Sequence, residues 1–219
     1  RGKCFFITLG NMTYSLGREN GIKFVFGFPN KNSYPGFVNK LGWIHKENIK
    51  TYKIKVTTLP ISKLVKKIKL LRPLYSIYLR QILSLWSSTK REFPNSNING
   101  GYGGVLHNQA FFKYKQYTEN NILSINKTNI WMKIDGLLLV GDIESPVENL
   151  EEIIVTLKKV ALLVGAPQIV FNCSPNSYLD KLLSENYPSE DSLPIGYLDI
   201  GSGIEISNIL FSYGDFDTF

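Results

Sequence analysis

The chain opens on Arg1-Gly2-Lys3-Cys4, at the head of a segment whose apolar residues Phe5, Phe6, Leu9, Met12 and Leu16 recur at helical spacing. A glycine followed by a basic residue at a helix start lets several backbone N–H groups and the positive end of the helix dipole converge on one point. That arrangement holds anions, phosphate and pyrophosphate above all. Cys4 reads as a small residue of this anion loop rather than as a reactive thiol. Two further polar candidates follow the next apolar run, in Gly27-Phe28-Pro29-Asn30-Lys31-Asn32-Ser33. Asn30 can lie along a ligand or shape a Pro-Asn turn. Asn32 or Ser33 can cap the helix that follows; Ser33 is not a nucleophile, since no histidine lies close in sequence to activate it.

Other residues offer less. Cys4, Cys173, His45 and His107 are the only cysteines and histidines, and their separations match no metal-ligand spacing, so no metal site is expected. Asp142 and Glu144 close an apolar run and form the one strand-end carboxylate pair that invites a catalytic reading; an acidic start to the next helix is the simpler one. No catalytic residue is assigned. The formal charge of +7 is concentrated between Glu47 and Glu92, where Lys50 to Arg91 supply many cations and no acid. Such a belt attracts polyanions, although lysine-rich helices commonly serve only to solvate, and nucleic acid is not the expected partner.

These residues must be positioned by a core, and 219 residues with 43% hydrophobic content can bury one. No apolar run approaches the roughly 18 to 20 residues of a membrane span, and the cysteine usage fits a reducing cytoplasm. The chain lacks an initiator methionine and starts inside what reads as a functional loop, so an incomplete N-terminus is expected. The pattern predicts a helix up to Gly21, a strand over 23–27, a short helix ending at Gly42, and a hairpin over 44–56 turning at Glu47-Asn48. A helical connector follows from Pro60 to Leu85, broken at Pro73, then a loop over 87–104. Strands are expected over 105–117, 130–134 and 137–143, with turns at Asn120-Asn121 and Asp135-Gly136. A helix over 148–164, a strand over 168–173, a helix from Tyr178 and a hairpin over 195–213 complete the chain.

The order helix, strand, short helix, hairpin occurs twice, at an offset of about 145 residues, which implies two copies of one unit. Val25-Phe26 aligns with Val170-Phe171, and Asn32-Ser33-Tyr34 with Asn176-Ser177-Tyr178. Where the first copy has its Gly-Lys helix start, the second has Pro146-Val147-Glu148-Asn149 followed by Glu151 and Glu152. Carboxylates there would repel a pyrophosphate.

Arg1-Gly2-Lys3-Cys4-Phe5-Phe6, the run Gly27-Phe28-Pro29-Asn30-Lys31-Asn32-Ser33-Tyr34-Pro35-Gly36-Phe37 and Lys40-Leu41-Gly42-Trp43 resemble the GNAT family of acyl-CoA-dependent N-acyltransferases, more closely its bacterial tandem type. The resemblance implies an α/β (α+β) fold with two GNAT-like units on mixed central sheets, the first incomplete. Residues 1–58 would be the acyl-CoA-binding part, 59–100 the basic helical connector, and 101–219 a degenerate second domain. It also implies that Arg1, Gly2, Lys3, Cys4 and Phe5 hold the CoA pyrophosphate, with Asn30 and Ser33 along the CoA arm. Acetyl-CoA would be the co-substrate and a small-molecule or peptide amine the acceptor; the alternatives are a non-catalytic GNAT-like scaffold module and a Fem-type aminoacyl-tRNA-dependent transferase, for which the basic belt would be the nucleic-acid contact. The general base would lie ahead of Arg1. The family's tyrosine acid has no counterpart, Phe37 and Val38 standing in its place.

Overall fold

The computed structural model describes residues 2–90 and 92–219, without the side chains of residues 2–4 and 69. In chain order the elements are α1 (Gly2–Glu19), β1 (Phe24–Gly27), α2 (Tyr34–Leu41), β2 (Ile44–Lys55), α3 (Ile61–Lys67), α4 (Arg72–Ser84), α5 (Ser96–Asn99), α6 (Gln109–Tyr114), β3 (Asn121–Ile125), β4 (Thr128–Ile134), β5 (Leu138–Ile143), α7 (Leu150–Val164), β6 (Gln168–Cys173), α8 (Tyr178–Ser184) and β7 (Ser189–Asp199). The fold is mixed α/β, and packing divides it into two compact units. One comprises the chain up to Ile49 with Asp191–Ile209, the other Lys50–Glu190 with Leu210–Phe219.

In the first unit β7 lies between β1 and the start of β2, with Phe24 opposite Asp199 and Gly27 opposite Gly196 in antiparallel register. Gly42, at φ 72°, closes α2 in the left-handed conformation that favours glycine, and its N–H returns to the Phe37 carbonyl. In the second unit the order is β2-β6-β5-β4-β3. Lys50–Lys55 of β2 run antiparallel to β6, β6 runs parallel to β5, and the remaining pairs are antiparallel. Its core is built from β4 and β5, the inner face of α7 and β6, including Ile130, Met132, Val140, Leu157 and Phe171.

The element order α1-β1-α2-β2 recurs as α7-β6-α8-β7, with Tyr34 and Tyr178 each opening the second helix. The final strand of each copy pairs with the first strand of the other: β7 with β1, and β2 with β6. The copies differ in what their first helices bury. On α7, Ile154, Leu157 and Ala161 are 2%, 0% and 0% exposed. The aligned residues of α1, Leu9, Met12 and Leu16, are 61%, 63% and 60% exposed. Beside α7, β6 has β5 as a parallel neighbour; among the described residues β1 has β7 alone.

Four local expectations fail, each for a physical reason. Residues 44–55 form one strand, because a two-residue hairpin turn needs left-handed φ and neither Glu47 nor Asn48 has it. The tight turn instead sits at Asn126 and Lys127, with φ of 48° and 65°, rather than at Asn120-Asn121. Residues 109–114 are helical rather than extended: the Asn108 side chain accepts from the Phe111 N–H at 3.0 Å, and Phe112 packs on Trp131 with ring centroids 4.7 Å apart. After β7 there is no closing hairpin strand over 204–213. The Asp199 carboxylate accepts the N–H groups of Gly201, Ser202 and Gly203, which hold its pKa down at about 2, and short 3-10 turns follow at Ile206–Asn208 and Tyr213–Asp215.

Burial separates the two copies in stability as well. Leu157→Ala should cost about 2–5 kcal/mol, the range for emptying a buried leucine site, whereas Met12→Ala should stay within about 0.5 kcal/mol. Urea unfolding of the two variants checks this, and equal losses would contradict the burial difference.

Candidate functional site

The first unit carries a groove of about 610 Å³ lined by Phe6 and Ile7 from the second turn of α1, by Asn30, Asn32 and Ser33 from the β1–α2 loop, and by Pro35, Gly36, Asn39 and Lys40 from α2. The loop is set by Asn30. Its Oδ1 accepts the N–H groups of Asn32 at 2.9 Å and Ser33 at 3.1 Å, and its backbone carbonyl accepts the Tyr34 N–H at 2.9 Å. This Asx turn fixes the entry to α2 and leaves the Asn30 amide nitrogen for a ligand. Ser33 occupies the N-cap position but its side chain caps nothing; its hydroxyl faces Asn30 at 3.3 Å, so the expected Ser33 cap is replaced by the Asn30 turn.

Two close approaches hold the walls together. A β-carbon on Gly36 would lie 2.9 Å from Phe6 Cε1, so a side chain there would displace the Phe6 ring, and Phe6 meets Phe37 edge-on at 5.2 Å. Behind the groove the Trp43 indole N–H donates to the Tyr14 hydroxyl at 2.7 Å. Trp43 lies against Gly27 and Gly196, and a β-carbon on Gly196 would stand 2.8 Å from it.

The groove is electrostatically one-sided. Its lining includes Lys40 and no carboxylate, and the first turn of α1 contains no acid. At the equivalent start of α7, Glu151 and Glu152 occupy the first turn and Asn149 caps it, accepting from the Glu152 N–H at 3.2 Å. The contrast read from sequence between the two helix starts is therefore kept in three dimensions.

No protein-family model matches this sequence, and no curated protein matches it. Among solved structures, the chain is similar to a GCN5-related N-acetyltransferase from Anabaena variabilis ATCC 29413, with 14% identity and a TM-score of 0.46 over 89% of this chain and 50% of that one. It is also similar to a GCN5-related N-acetyltransferase from Kribbella flavida, with 10% identity and a TM-score of 0.40 over 84% and 45%. A third, a conserved protein of unknown function and probable N-acyltransferase from Enterococcus faecalis V583, gives 11% identity and a TM-score of 0.49 over 88% and 49%. The chain spans about half the length of these structures.

Of the GNAT-type site residues named from sequence, Asn30 and Ser33 meet in the groove. Gly2, Lys3 and Cys4 form the first turn of α1, one turn ahead of the lining residues Phe6 and Ile7, with their side chains outside the described set. Arg1 lies outside the described residues. The Phe5 side chain is 70% exposed and not part of the lining. Asn32, named from sequence only as a possible helix cap, and Gly36, Asn39 and Lys40, given no role there, join the site; an i, i+3, i+4 pattern from Gly36 puts Asn39 and Lys40 on one face.

Asp142, Glu144, His107 and Cys173 belong to the second unit, where the carboxylates are hydrogen-bonded and His107 keeps a buried Nδ1 without a hydrogen-bond partner. Asp142 is fully buried at the end of β5, where Gly141 bulges the register against β4, and it accepts the Ser96 hydroxyl at 2.6 Å and the Ser96 N–H at 2.9 Å. Glu144 pairs with Lys90 at 2.7 Å and accepts from the Asn129 amide. His107 is buried against Asp215 at 2.7 Å, and the buried Cys173 thiol is pushed up to about 12 by desolvation. Among the described residues no three His, Cys, Asp or Glu side chains gather to hold a metal.

Burial raises the Asp142 pKa from its ordinary 3.8 to about 6. Between these values the folded state keeps a proton that the unfolded chain releases, so this group's contribution to stability is full at the acid end and is lost as pH rises through about 6. Asp142→Asn should remove that slope. Denaturant unfolding at about pH 4 and about pH 7 tests it: the wild type should lose stability relative to the variant on going up, and a constant difference would refute the assignment.

Proposed function

We propose that this chain is part of a GNAT acyl-CoA-dependent N-acyltransferase that takes an acetyl group from acetyl-CoA to a small-molecule or peptide amine. The observation that carries this reading is the groove itself. One cavity of about 610 Å³ is bounded by the opening turns of an acid-free helix and by the Asn30–Ser33 loop, with Lys40 at its side. Backbone N–H groups of Gly2 to Cys4 would receive the pyrophosphate, and the Asn30 amide the arm that follows it. The volume and the mix of apolar wall and few polar groups suit a ligand of this kind. Bound acetyl-CoA would supply an activated thioester carbonyl.

The chain's own residues bind and orient in this reading, and no general base is assigned to them. Residues 1–58 would be the CoA-binding part, 59–100 a connector, and 101–219 a second domain that is degenerate at its acidic helix start. Its place would be the cytoplasm, where acetyl-CoA is available. A scaffold with no catalytic role is the competing reading, favoured by the 60% or greater exposure of Leu9, Met12 and Leu16, which marks α1 as a face open to a partner.

Calorimetric titration with acetyl-CoA and with CoA decides between them. Saturable binding of both is expected, weakened at least about ten-fold by Gly2→Glu, which sets a carboxylate where the pyrophosphate would lie, and similarly by Gly36→Val, which crowds Phe6. No binding, or binding indifferent to both substitutions, removes the acyltransferase reading and leaves the scaffold.

A further inference from the structure

The second unit contains a cavity of about 940 Å³ between α4, α6 and β3, and a second of about 460 Å³ beside it. Ser76, Leu79, Thr118, Glu119 and Ile134 line both, so they form one trough along the face of α4. Its base is apolar: Leu79, Leu83 and Phe112 are each 9% exposed or less. Most cations along it are already engaged. Lys66 pairs with Asp135 at 2.7 Å, Lys90 with Glu144 at 2.7 Å, Arg72 donates to the Lys66 carbonyl at 3.1 Å, and Lys133 donates to the Thr218 carbonyl.

Two are left. Arg80 on α4 and Lys113 on α6 both line the larger cavity, and among the described residues neither has an acidic partner. Gln109, Gln116 and Asn121 line the same space with side-chain amides that bond to nothing else described, whereas the Asn120 amide is spent on Lys115 and Thr118. The one carboxylate of the larger cavity is Glu119, which repels a phosphate but accepts from hydroxyl or amino groups.

We infer that this trough binds a nucleotide-sized phosphate ester, its phosphate between Arg80 and Lys113 and its planar body over Leu79 and Phe112. Unpaired cations from two helices supply the anion contact, and a bidentate guanidinium suits phosphate oxygens. The amides and Glu119 match the donors and acceptors of a base and a ribose. The volume of this open trough lies within the range of small-molecule sites. The inference uses no residue of the α1–α2 groove and stands apart from the acyltransferase reading.

Titration of the full chain with adenosine 5′-monophosphate at low ionic strength tests it, with Arg80→Gln/Lys113→Gln as the variant. Both side chains are exposed, so the variant should fold, and a thermal melt by circular dichroism confirms that. Saturable binding is expected, weakened by added salt and by about ten-fold or more in the double variant, with inorganic phosphate binding at least about ten-fold more weakly than the nucleotide. Binding that never saturates in the millimolar range, that is equal in the double variant, or that phosphate matches would overturn it. So would binding lost in Gly36→Val and kept in the double variant, which places the nucleotide in the other groove. Oligothymidylate binding more tightly than the nucleotide through the same two cations would replace the proposal with a polynucleotide track.

Discussion

The position of Trp43 is the constraint on which the first unit depends. Its indole N–H is held by Tyr14 at 2.7 Å, its ring meets Phe37 at 4.5 Å, and its flat face rests on backbone at Gly27 and Gly196. A β-carbon at Gly196 would stand 2.8 Å from the indole and one at Gly27 3.3 Å, so three separate segments close on one ring. Tyr14 orients α1, Phe37 orients α2, and Gly196 on β7 seals the contact from a strand more than 150 residues further on. The groove between α1 and α2 is the outcome of that packing. The Asn30 turn then sets which polar atoms face into it.

The two copies show how one architecture diverges through electrostatics and burial. Copy one keeps a helix start free of acids and leaves the apolar stripe of α1 open. Copy two puts Asn149, Glu151 and Glu152 at the corresponding start, which satisfies and stabilises the helix dipole by itself, and buries the stripe of α7. Exchange of final strands, β7 to β1 and β2 to β6, ties the chemistry of one copy to the folding of the other.

In the second unit, buried polar groups fasten the end of the chain. Trp131 is fully buried among Phe112, His107 and Phe219, at 4.7, 5.2 and 4.8 Å, and Gly214 passes directly against its ring. Around it Lys115 donates to the Phe216 carbonyl, His107 pairs with Asp215, and Thr118 donates to the Phe219 carbonyl at 3.0 Å. Buried charges and carbonyls without partners would each be costly, so this region tolerates loss of a partner poorly. His107, which as a residue type suggests catalysis, has its Nε2 engaged by Asp215 in this network, and Asp142 is held separately by Ser96.

Residue order by itself determined the helices α1, α2, α4, α7 and α8, the strands β1, β4, β5 and β6, their recurring order, and the contrast between the two helix starts. Those features are written in local periodicity, in glycine stops such as Gly42 and in charge placed next to a helix dipole, all of which act within a few residues. Only the tertiary structure decided that residues 44–55 run on as one strand and that residues 109–114 are helical, because partners distant in sequence supply the backbone bonds and the aromatic contacts. It also decided the site's outline. Asn39 and Lys40 become lining residues only once α2 settles on Phe6 at Gly36, and Arg80 and Lys113 become a pair only because packing brings two helices to one cavity. Side-chain chemistry is local, but its use depends on which distant surfaces the core forces together.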